Sequence, residues 1–314
     1  MQQAARLPVP AQRGKQGTFR RRLRQALSAY PFIVPYLIIL GIFTLIATVT
    51  ALAFSFYYVD FGFTVPVFTG LHNYQLIWYD LTHNGDFLIS LENVTKYTIG
   101  VVTLQTILAM ALALLLNQKV RGRGIFRTVF YLPSLTSSVA ISLIFLWLYN
   151  QQGAINYLLS LLHIPAHNWL NDPATALFAI MLLSIWTTAP FFMLVYLAAL
   201  QDVPESLYEA ARIDGATSWQ IIRRVTIPLL RPTTFLVVVL GTIGAFQVFD
   251  TVYVMQGADG GPLKSTLTPV LEIVNAAFKE NLMGLACAEA FVLFVVIFTF
   301  AVLQKRFIDT NIQY

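Results

Sequence analysis

Six long apolar runs restrict what this chain can fold into. They cover residues 32–57, 94–116, 128–149, 174–200, 233–255 and 285–303. A helix needs about 20 mostly apolar residues to cross the roughly 30 Å hydrocarbon core of a bilayer. The chain is 11% charged, whereas about 25% is usual for soluble domains. The sequence therefore predicts an all-α, polytopic membrane helix bundle with six transmembrane helices.

The basic residues are distributed unevenly about these runs. If the N-terminus is cytoplasmic, seventeen of the twenty Lys and Arg residues fall on the cytoplasmic side. This is the positive-inside pattern, and it predicts that both termini are cytoplasmic. The net charge of +5 then reflects basic residues that set the topology beside anionic lipids, and it does not require binding to nucleic acid. We expect a disordered basic tail at 1–29, a transmembrane domain at 30–307 and a cytoplasmic tail at 308–314.

The polar segment 202–232 lies between the fourth and fifth runs, on the cytoplasmic side. Asp202 is a candidate N-cap, with Pro204 in the first helical turn, and Gly215 is suited to a left-handed C-terminal turn. Thr217 and Gln220 have the spacing of a capping box. An apolar stripe continues at three-residue spacing: Trp219, Ile222, Val225. The segment is predicted to form a short helix, a glycine turn and a second short helix.

The first of these short helices carries acidic side chains beside alanines. Glu205, Glu209 and Asp214 lie near Ala210 and Ala211. A connector lying in the headgroups would place Lys or Arg beside its apolar face, because acidic groups are repelled by an anionic leaflet. Small alanines let another protein approach closely. The pattern favours a docking helix for a cytoplasmic protein, with a lipid-surface connector as the alternative.

Several motifs resemble one family of membrane proteins. The sequence EAARIDGA at 209–216, followed by Ile-Pro at 227–228, closely resembles the "EAA" loop of binding-protein-dependent ABC importer permeases, although Ile222 stands where many relatives carry Phe. Four further stretches resemble the first-subunit sugar permeases related to those for maltose and glycerol-phosphate: FTGLHNY (68–74), RGRGIFRTVFYLP (121–133), GADGGPLKST (257–266) and MGLACAEA (283–290). The resemblance covers roughly residues 30 to 307.

This resemblance implies a set of partners and a coupling role. In that family the loop inserts into a cleft of the ATPase subunit and transmits its closure to the spans. The implied ATPase-coupling residues are Glu209, Ala210, Ala211, Asp214 and Gly215. The implied partners are a second permease subunit, two copies of an ABC ATPase subunit and an extracytoplasmic sugar-binding protein. The implied location is the inner membrane of a bacterial or archaeal cell.

Motifs for independent chemistry are missing from the sequence. It has no GxxxxGK[ST] phosphate loop, so ATP is expected to be bound by partner subunits and no cofactor by this chain. It also has no HExxH, GxSxG or CxxC motif, and we do not expect an enzyme. His163 and His167 are four residues apart, but Pro165 between them breaks helical geometry. No metal site is therefore expected.

Asp250 in the fifth run is the main candidate for contact with a solute. Ionisable residues inside a span are costly and usually face a functional pathway. On a helix, Phe246, Gln247 and Asp250 share one face through their i, i+3 and i+4 spacing. An aromatic ring beside an amide and a carboxylate suits a sugar, whose C–H face packs on the ring and whose hydroxyls donate to the oxygens. The alternatives are a structural Asp satisfied by neighbouring helices and an Asp that lies at the outer edge of the membrane.

The resemblance also implies substrate contacts at these positions. Phe246, Gln247 and Asp250 match three sugar-contacting positions of the maltose permease, where relatives carry Phe, Asn and Asn. The stretch WTTAPFFM in the fourth run aligns with another part of that pocket and adds Thr188 and Phe191, with Pro190 expected to kink the helix between them. The departures at Gln247 and Asp250 leave the sugar's identity open.

Three classes of function remain at this point. The first is an ABC importer permease that works by alternating access. The second is a secondary transporter that uses Asp250 as a proton or sodium site, and the third is a membrane enzyme that uses intramembrane carboxylates. An ion-driven transporter needs no ATP or partner subunits, whereas an enzyme turns over as an isolated chain.

Overall fold

The computed structural model describes residues 30–31, 33–60, 62, 65–118 and 122–307. The tails predicted at 1–29 and 308–314 lie outside the described residues, so both remain predictions. The contacts within the chain divide it into one unit that ends at Ala53 and a second that begins at Phe54.

Helix α1, Ile33–Phe54, makes up most of the described part of the first unit. It is 22 residues long, enough for roughly 33 Å at 1.5 Å per residue. A π-helical segment, Gly41–Ile46, lies within it. None of the side chains in its most apolar stretch is buried. This helix corresponds to the first predicted span.

Helices make up most of the described part of the second unit. A short antiparallel pair joins β1 (Tyr57–Tyr58) to β2 (Val67–Phe68). The helices that follow are α2 (His72–Thr82), α3 (Asp86–Asn117), α4 (Arg123–Leu135), α5 (Ser138–Leu148), α6 (Ala154–Leu161), α7 (Ala176–Asp202), α8 (Glu205–Ile213), α9 (Ser218–Leu229), α10 (Arg231–Phe246), α11 (Asp250–Gln256), α12 (Pro269–Val274) and α13 (Met283–Phe307).

Among the described residues, four helices and two bent pairs of helices are long and apolar enough to cross a membrane. The four are α1, α3, α7 and α13. The pair α4 and α5 is bent by 93°, and the pair α9 and α10 by 64°. This arrangement agrees with the predicted all-α membrane bundle of six spans.

Two of the predicted spans are each a bent pair of helices. The third, 128–149, is broken because Thr136 and Ser137 have extended ψ angles of 143° and 133°. The fifth, 233–255, is broken because α10 ends at Phe246 and Phe249 leaves the helical region with φ −138° and ψ −63°. A new helix, α11, begins at Asp250. Each break therefore lies inside an apolar run.

Close packing of α3 against α7 forms the centre of the second unit. Ala109 and Ala113 of α3 and Ala189 of α7 have no exposed surface, and small residues of this kind let helix backbones approach each other in a membrane. The Oη of Tyr97 and the Oγ of Ser184 are 2.6 Å apart, which adds a buried hydrogen bond between the same helices. These two helices set the frame on which the other spans of the second unit are placed.

A buried carboxyl group lies between the fifth and sixth spans. Glu272 on α12 is 9% exposed. Burial raises the pKa of Glu272 to about 7, and the nearby carboxylates of Asp86 and Glu280 add to the shift. The folded protein therefore binds a proton here that the unfolded chain releases at lower pH.

We expect stability to fall as the pH rises through about 7, since the raised pKa makes the protonated form the favoured one in the folded state. The free energy of unfolding of the wild type should fall by about 1 kcal/mol between pH 6 and 8, which corresponds to roughly 2–4 °C in Tm. Glu272→Gln should remove this fall. Thermal unfolding of the detergent-solubilised complex at both pH values measures it. Glu92→Gln, at an exposed carboxylate of α3 that does not contribute to the pKa shift of Glu272, should keep the wild-type pH dependence. An unchanged slope in Glu272→Gln would contradict the assignment.

Candidate coupling segment and substrate path

The entry to the segment 202–232 differs from the prediction at Asp202. Helix α7 runs through Asp202, so this residue ends a span and does not cap the next helix. Val203 is extended, with φ −71° and ψ 123°, as expected of a residue before proline. Pro204 is the N-cap of α8, which begins at Glu205. The predicted Asp202 cap was wrong because the long helix continued where a new one was expected.

The exit from α8 confirms the predicted glycine turn. Gly215 has φ +76°, a conformation that costs an L-residue about 1–2 kcal/mol. The N–H of Ala216 donates to the carbonyl of Ala211, and the N–H of Gly215 donates to that of Arg212, both at 3.0 Å. This pair of bonds is a Schellman motif. The turn therefore fixes where α8 stops and how the chain leaves it.

The second short helix begins with the predicted capping box. The N–H of Gln220 donates to Thr217 Oγ1 at 3.4 Å, and the N–H of Thr217 donates to Gln220 Oε1 at 2.7 Å. Both bonds satisfy N–H groups that a helix start leaves unpaired. Helix α9 is thereby held at the end of a two-residue turn after Gly215.

The segment exposes apolar and acidic side chains together. The exposed fraction is 86% for Ile213 and 68% for Trp219, whereas Ile222 and Val225 are half-buried. The implied coupling residues Glu209, Ala210, Asp214 and Gly215 are exposed, and Ala211 is half-buried. Large exposed apolar groups on a rigid element are typical of a protein docking surface. The geometry suits docking, while the individual coupling roles remain predictions.

A cleft of ≈ 790 Å³ lies beside α8, where spans α3 and α7 end. Its lining includes carboxylates and guanidinium groups: Asp202, Glu205, Arg123, Arg212. The coupling segment is joined covalently to the ends of α7 and α10, so a displacement of α8 acts on two spans at once.

Phe246 is packed inside the bundle and does not face a cavity. It has no exposed surface and belongs to an apolar cluster with Val94 and Leu293. Its ring centroid lies 5.0 Å from that of Phe300. The prediction that Phe246, Gln247 and Asp250 share one helix face was wrong, because α10 ends at Phe246.

Asp250 is exposed at the first position of α11. The Oγ of Ser138 donates to its Oδ2 at 2.8 Å. Ser138 is the first residue of α5, so this bond joins the breaks of two spans. Sequence reasoning missed Ser138, although its place in a Thr-Ser-Ser stretch inside an apolar run was a signal for it.

The other three predicted contacts lie in different surroundings. Gln247 lines a mostly apolar cleft of ≈ 600 Å³ with Phe294 and Ile297 of α13. The Oγ1 of Thr188 lies 2.6 Å from Gln105 Oε1. Phe191 is 47% exposed, and α7 continues through Pro190. Among the residues that the structure describes, no hydrogen bond or ring contact joins two of the five predicted contacts, which therefore remain predictions.

The described residues contain no group of three or more His, Cys, Asp or Glu side chains that could hold a metal ion. The ring of His167 contacts the side chains of two neighbouring residues. Its Nε2 lies 3.0 Å from Thr175 Oγ1 and 3.3 Å from Asp172 Oδ2.

Comparison with known proteins places this geometry in a family. Residues 105–309 match the family described as binding-protein-dependent transport system inner membrane component. The chain is 36% identical over 273 residues to the probable ABC transporter permease protein YesP of Bacillus subtilis (strain 168), covering 86% of this chain and 87% of that one. It is 31% identical over 290 residues to the trehalose/maltose transport system permease protein MalF of Thermococcus litoralis, covering 92% and 96%.

A solved structure has the same fold. It is a chain of a bacterial ABC transporter involved in the import of the acidic polysaccharide alginate, and it matches with a TM-score of 0.79. The match covers 94% of this chain and 100% of that chain at 20% identity.

Proposed function

This chain belongs to the family of binding-protein-dependent transport system inner membrane components, and we propose that it carries a neutral sugar inward as one permease subunit of an ATP-driven importer. The observation that supports this most strongly is the coupling segment. Two short helices around Gly215 present exposed Ile213 and Trp219 beside acidic side chains. A surface of this kind fits a protein partner better than an anionic lipid leaflet.

The proposed assembly contains four kinds of subunit. This chain pairs with a second permease, two copies of an ABC ATPase dock on the cytoplasmic side, and a sugar-binding protein docks on the outer side. The chain itself has no phosphate-binding loop, so the ATPase subunits bind and hydrolyse ATP. Their closure displaces α8, and α7 and α10 carry the displacement into the bundle. Transport then proceeds by alternating access.

The chemistry of Asp250 supports a neutral substrate. Its exposed carboxylate accepts hydrogen bonds and repels anions, and Ser138 leaves its second oxygen available to a sugar hydroxyl. The relative from Thermococcus litoralis is named for trehalose and maltose, which are uncharged sugars. The transporter whose solved structure has a similar fold is involved in the import of an acidic polysaccharide. An anionic polysaccharide would have to pass this carboxylate at an electrostatic cost.

Uptake of neutral and acidic oligosaccharides tests this proposal. The complete complex is reconstituted in proteoliposomes with saturating binding protein, and radiolabelled neutral oligosaccharides are compared with uronic-acid oligosaccharides of equal length. We expect ATP-dependent uptake of the neutral set at a rate at least tenfold higher. Asp250→Asn should lower the ratio of neutral to uronic-acid uptake, because it removes the repelling charge at nearly constant shape. Faster uptake of the uronic acids by the wild type would contradict the neutral-sugar assignment.

A further inference from the structure

A glutamine is buried where three spans meet. Gln105 of α3 is 1% exposed, although an unpaired amide in an apolar interior is destabilising. Its Oε1 accepts a hydrogen bond from the Thr188 hydroxyl of α7 at 2.6 Å. The amide therefore ties α3 to α7 inside the bundle.

The third span reaches the same point through a glycine. A Cβ on Gly241 of α10 would lie 2.3 Å from Gln105 Nε2, well inside contact distance. An alanine at position 241 would therefore force the end of the Gln105 side chain, which holds the bond to Thr188, to move. Gln105 therefore contacts α7 through its oxygen and α10 through its nitrogen.

The two spans held by Gln105 are the two that flank the coupling segment. Helix α7 leads into α8, and α10 follows α9. Tyr196 of α7 and Thr234 of α10 make a second link between them, with their hydroxyl oxygens 3.0 Å apart. Any displacement of α8 thus reaches two spans that are joined to each other and to α3.

We propose that Gln105 is a positioning residue for transport, which holds α7 and α10 in fixed register on α3 so that the three spans move together when the coupling segment is displaced. This rests on the proposed function, since it requires an ATPase that drives the segment. The hydrogen bond to Thr188, the link between Tyr196 and Thr234 and the contact with Gly241 carry this coupling.

The chain offers a variant that removes this contact without leaving a new unpaired group. In Gln105→Leu the Thr188 hydroxyl can still donate to the carbonyl of Ser184, which lies 2.6 Å away. A single interhelical hydrogen bond contributes little, on average, to the stability of a membrane protein. The variant should therefore fold and assemble, and its defect should be one of coupling.

The test compares ATP hydrolysis and sugar uptake in the reconstituted complex. For Gln105→Leu we expect ATPase activity within twofold of the wild type, still stimulated by the binding protein, and at least tenfold less sugar transported per ATP. Gly241→Ala should give the same uncoupling, because its Cβ displaces the amide from the other side. Thr106→Val is the matched control, because the neighbouring Thr106 hydroxyl is buried without a hydrogen-bond partner among the described residues; its coupling ratio should equal that of the wild type.

Two results would overturn the proposal. One is an unchanged ratio of sugar to ATP in both Gln105→Leu and Gly241→Ala. The other is a parallel loss of assembly, hydrolysis and uptake in both variants, which a purely structural role predicts. Failure of the proposed function is distinguishable, because the wild-type complex would then show no ATP-driven uptake.

Discussion

Replacing Gly215 with proline should abolish ATP-driven uptake, with a loss of at least 100-fold, and release the ATPase subunit from the purified complex. Gly215 has φ +76° and donates its N–H to the carbonyl of Arg212. Proline fixes φ near −65° and has no N–H, so the turn between α8 and α9 cannot form. Co-purification of the ATPase and uptake into proteoliposomes measure the two effects. Gly215→Ala, which meets only the cost of a left-handed conformation, should give a smaller loss.

Reversing the charge of Glu209 tests ATPase docking without disturbing the folding of α8. Glu209→Lys leaves α8 intact, because the side chain is exposed, and should still reduce binding of the ATPase at least tenfold. Glu280→Lys makes the same change at an exposed carboxylate on the predicted outer side and should leave ATPase binding unaltered. Retention of the ATPase by both Gly215→Pro and Glu209→Lys would show that the segment is not the docking surface.

Removing the carboxylate of Asp250 should reduce sugar uptake by about 10- to 100-fold while the basal ATPase activity stays within twofold. The factor corresponds to the loss of hydrogen bonds to a charged group, roughly 1.5–3 kcal/mol. Asp250→Ala is the variant, and initial uptake rates at several sugar concentrations are the measurement. Because the coupling segment is unchanged, ATPase docking should be normal.

The variant Ser138→Ala distinguishes two roles of Asp250, which are contact with the sugar and attachment of α5 to α11. It removes the 2.8 Å bond between the two helix breaks and leaves the carboxylate in place. If Asp250 contacts the sugar, Ser138→Ala should keep uptake within threefold of the wild type. Equal losses in the two variants would mean that Asp250 only ties α5 to α11, and full uptake by Asp250→Ala would remove it from the path.

Local features of the coupling segment were readable from the sequence because each depends on residues a few positions apart. The Gly215 turn needs a left-handed residue after α8, and the capping box needs only Thr217 and Gln220. The predicted cap at Asp202 was wrong because two helices compete for this residue. Asp is a good N-cap residue, but α7 extends through Asp202.

The breaks and the contacts of the substrate path could not be read in the same way. Ser138 and Asp250 are 112 residues apart, and Gln105 and Thr188 are 83 apart. Hydropathy marks the length of an apolar run, but it contains no term for a bend that another helix stabilises. The burial of Phe246 likewise depends on Phe300 of a distant span. Such features follow from tertiary packing.

We expect this chain to transport only when a separate ATPase acts on the segment around Gly215. Sugar uptake tests this in proteoliposomes that contain this chain, its partner permease and the ATPase, with binding protein added, under either ATP or an imposed proton or sodium gradient. Uptake should occur with ATP and no ion gradient, and none should occur under either ion gradient without ATP. Gradient-driven uptake by the permease chains without ATP or the ATPase would contradict this expectation and identify an ion-coupled transporter.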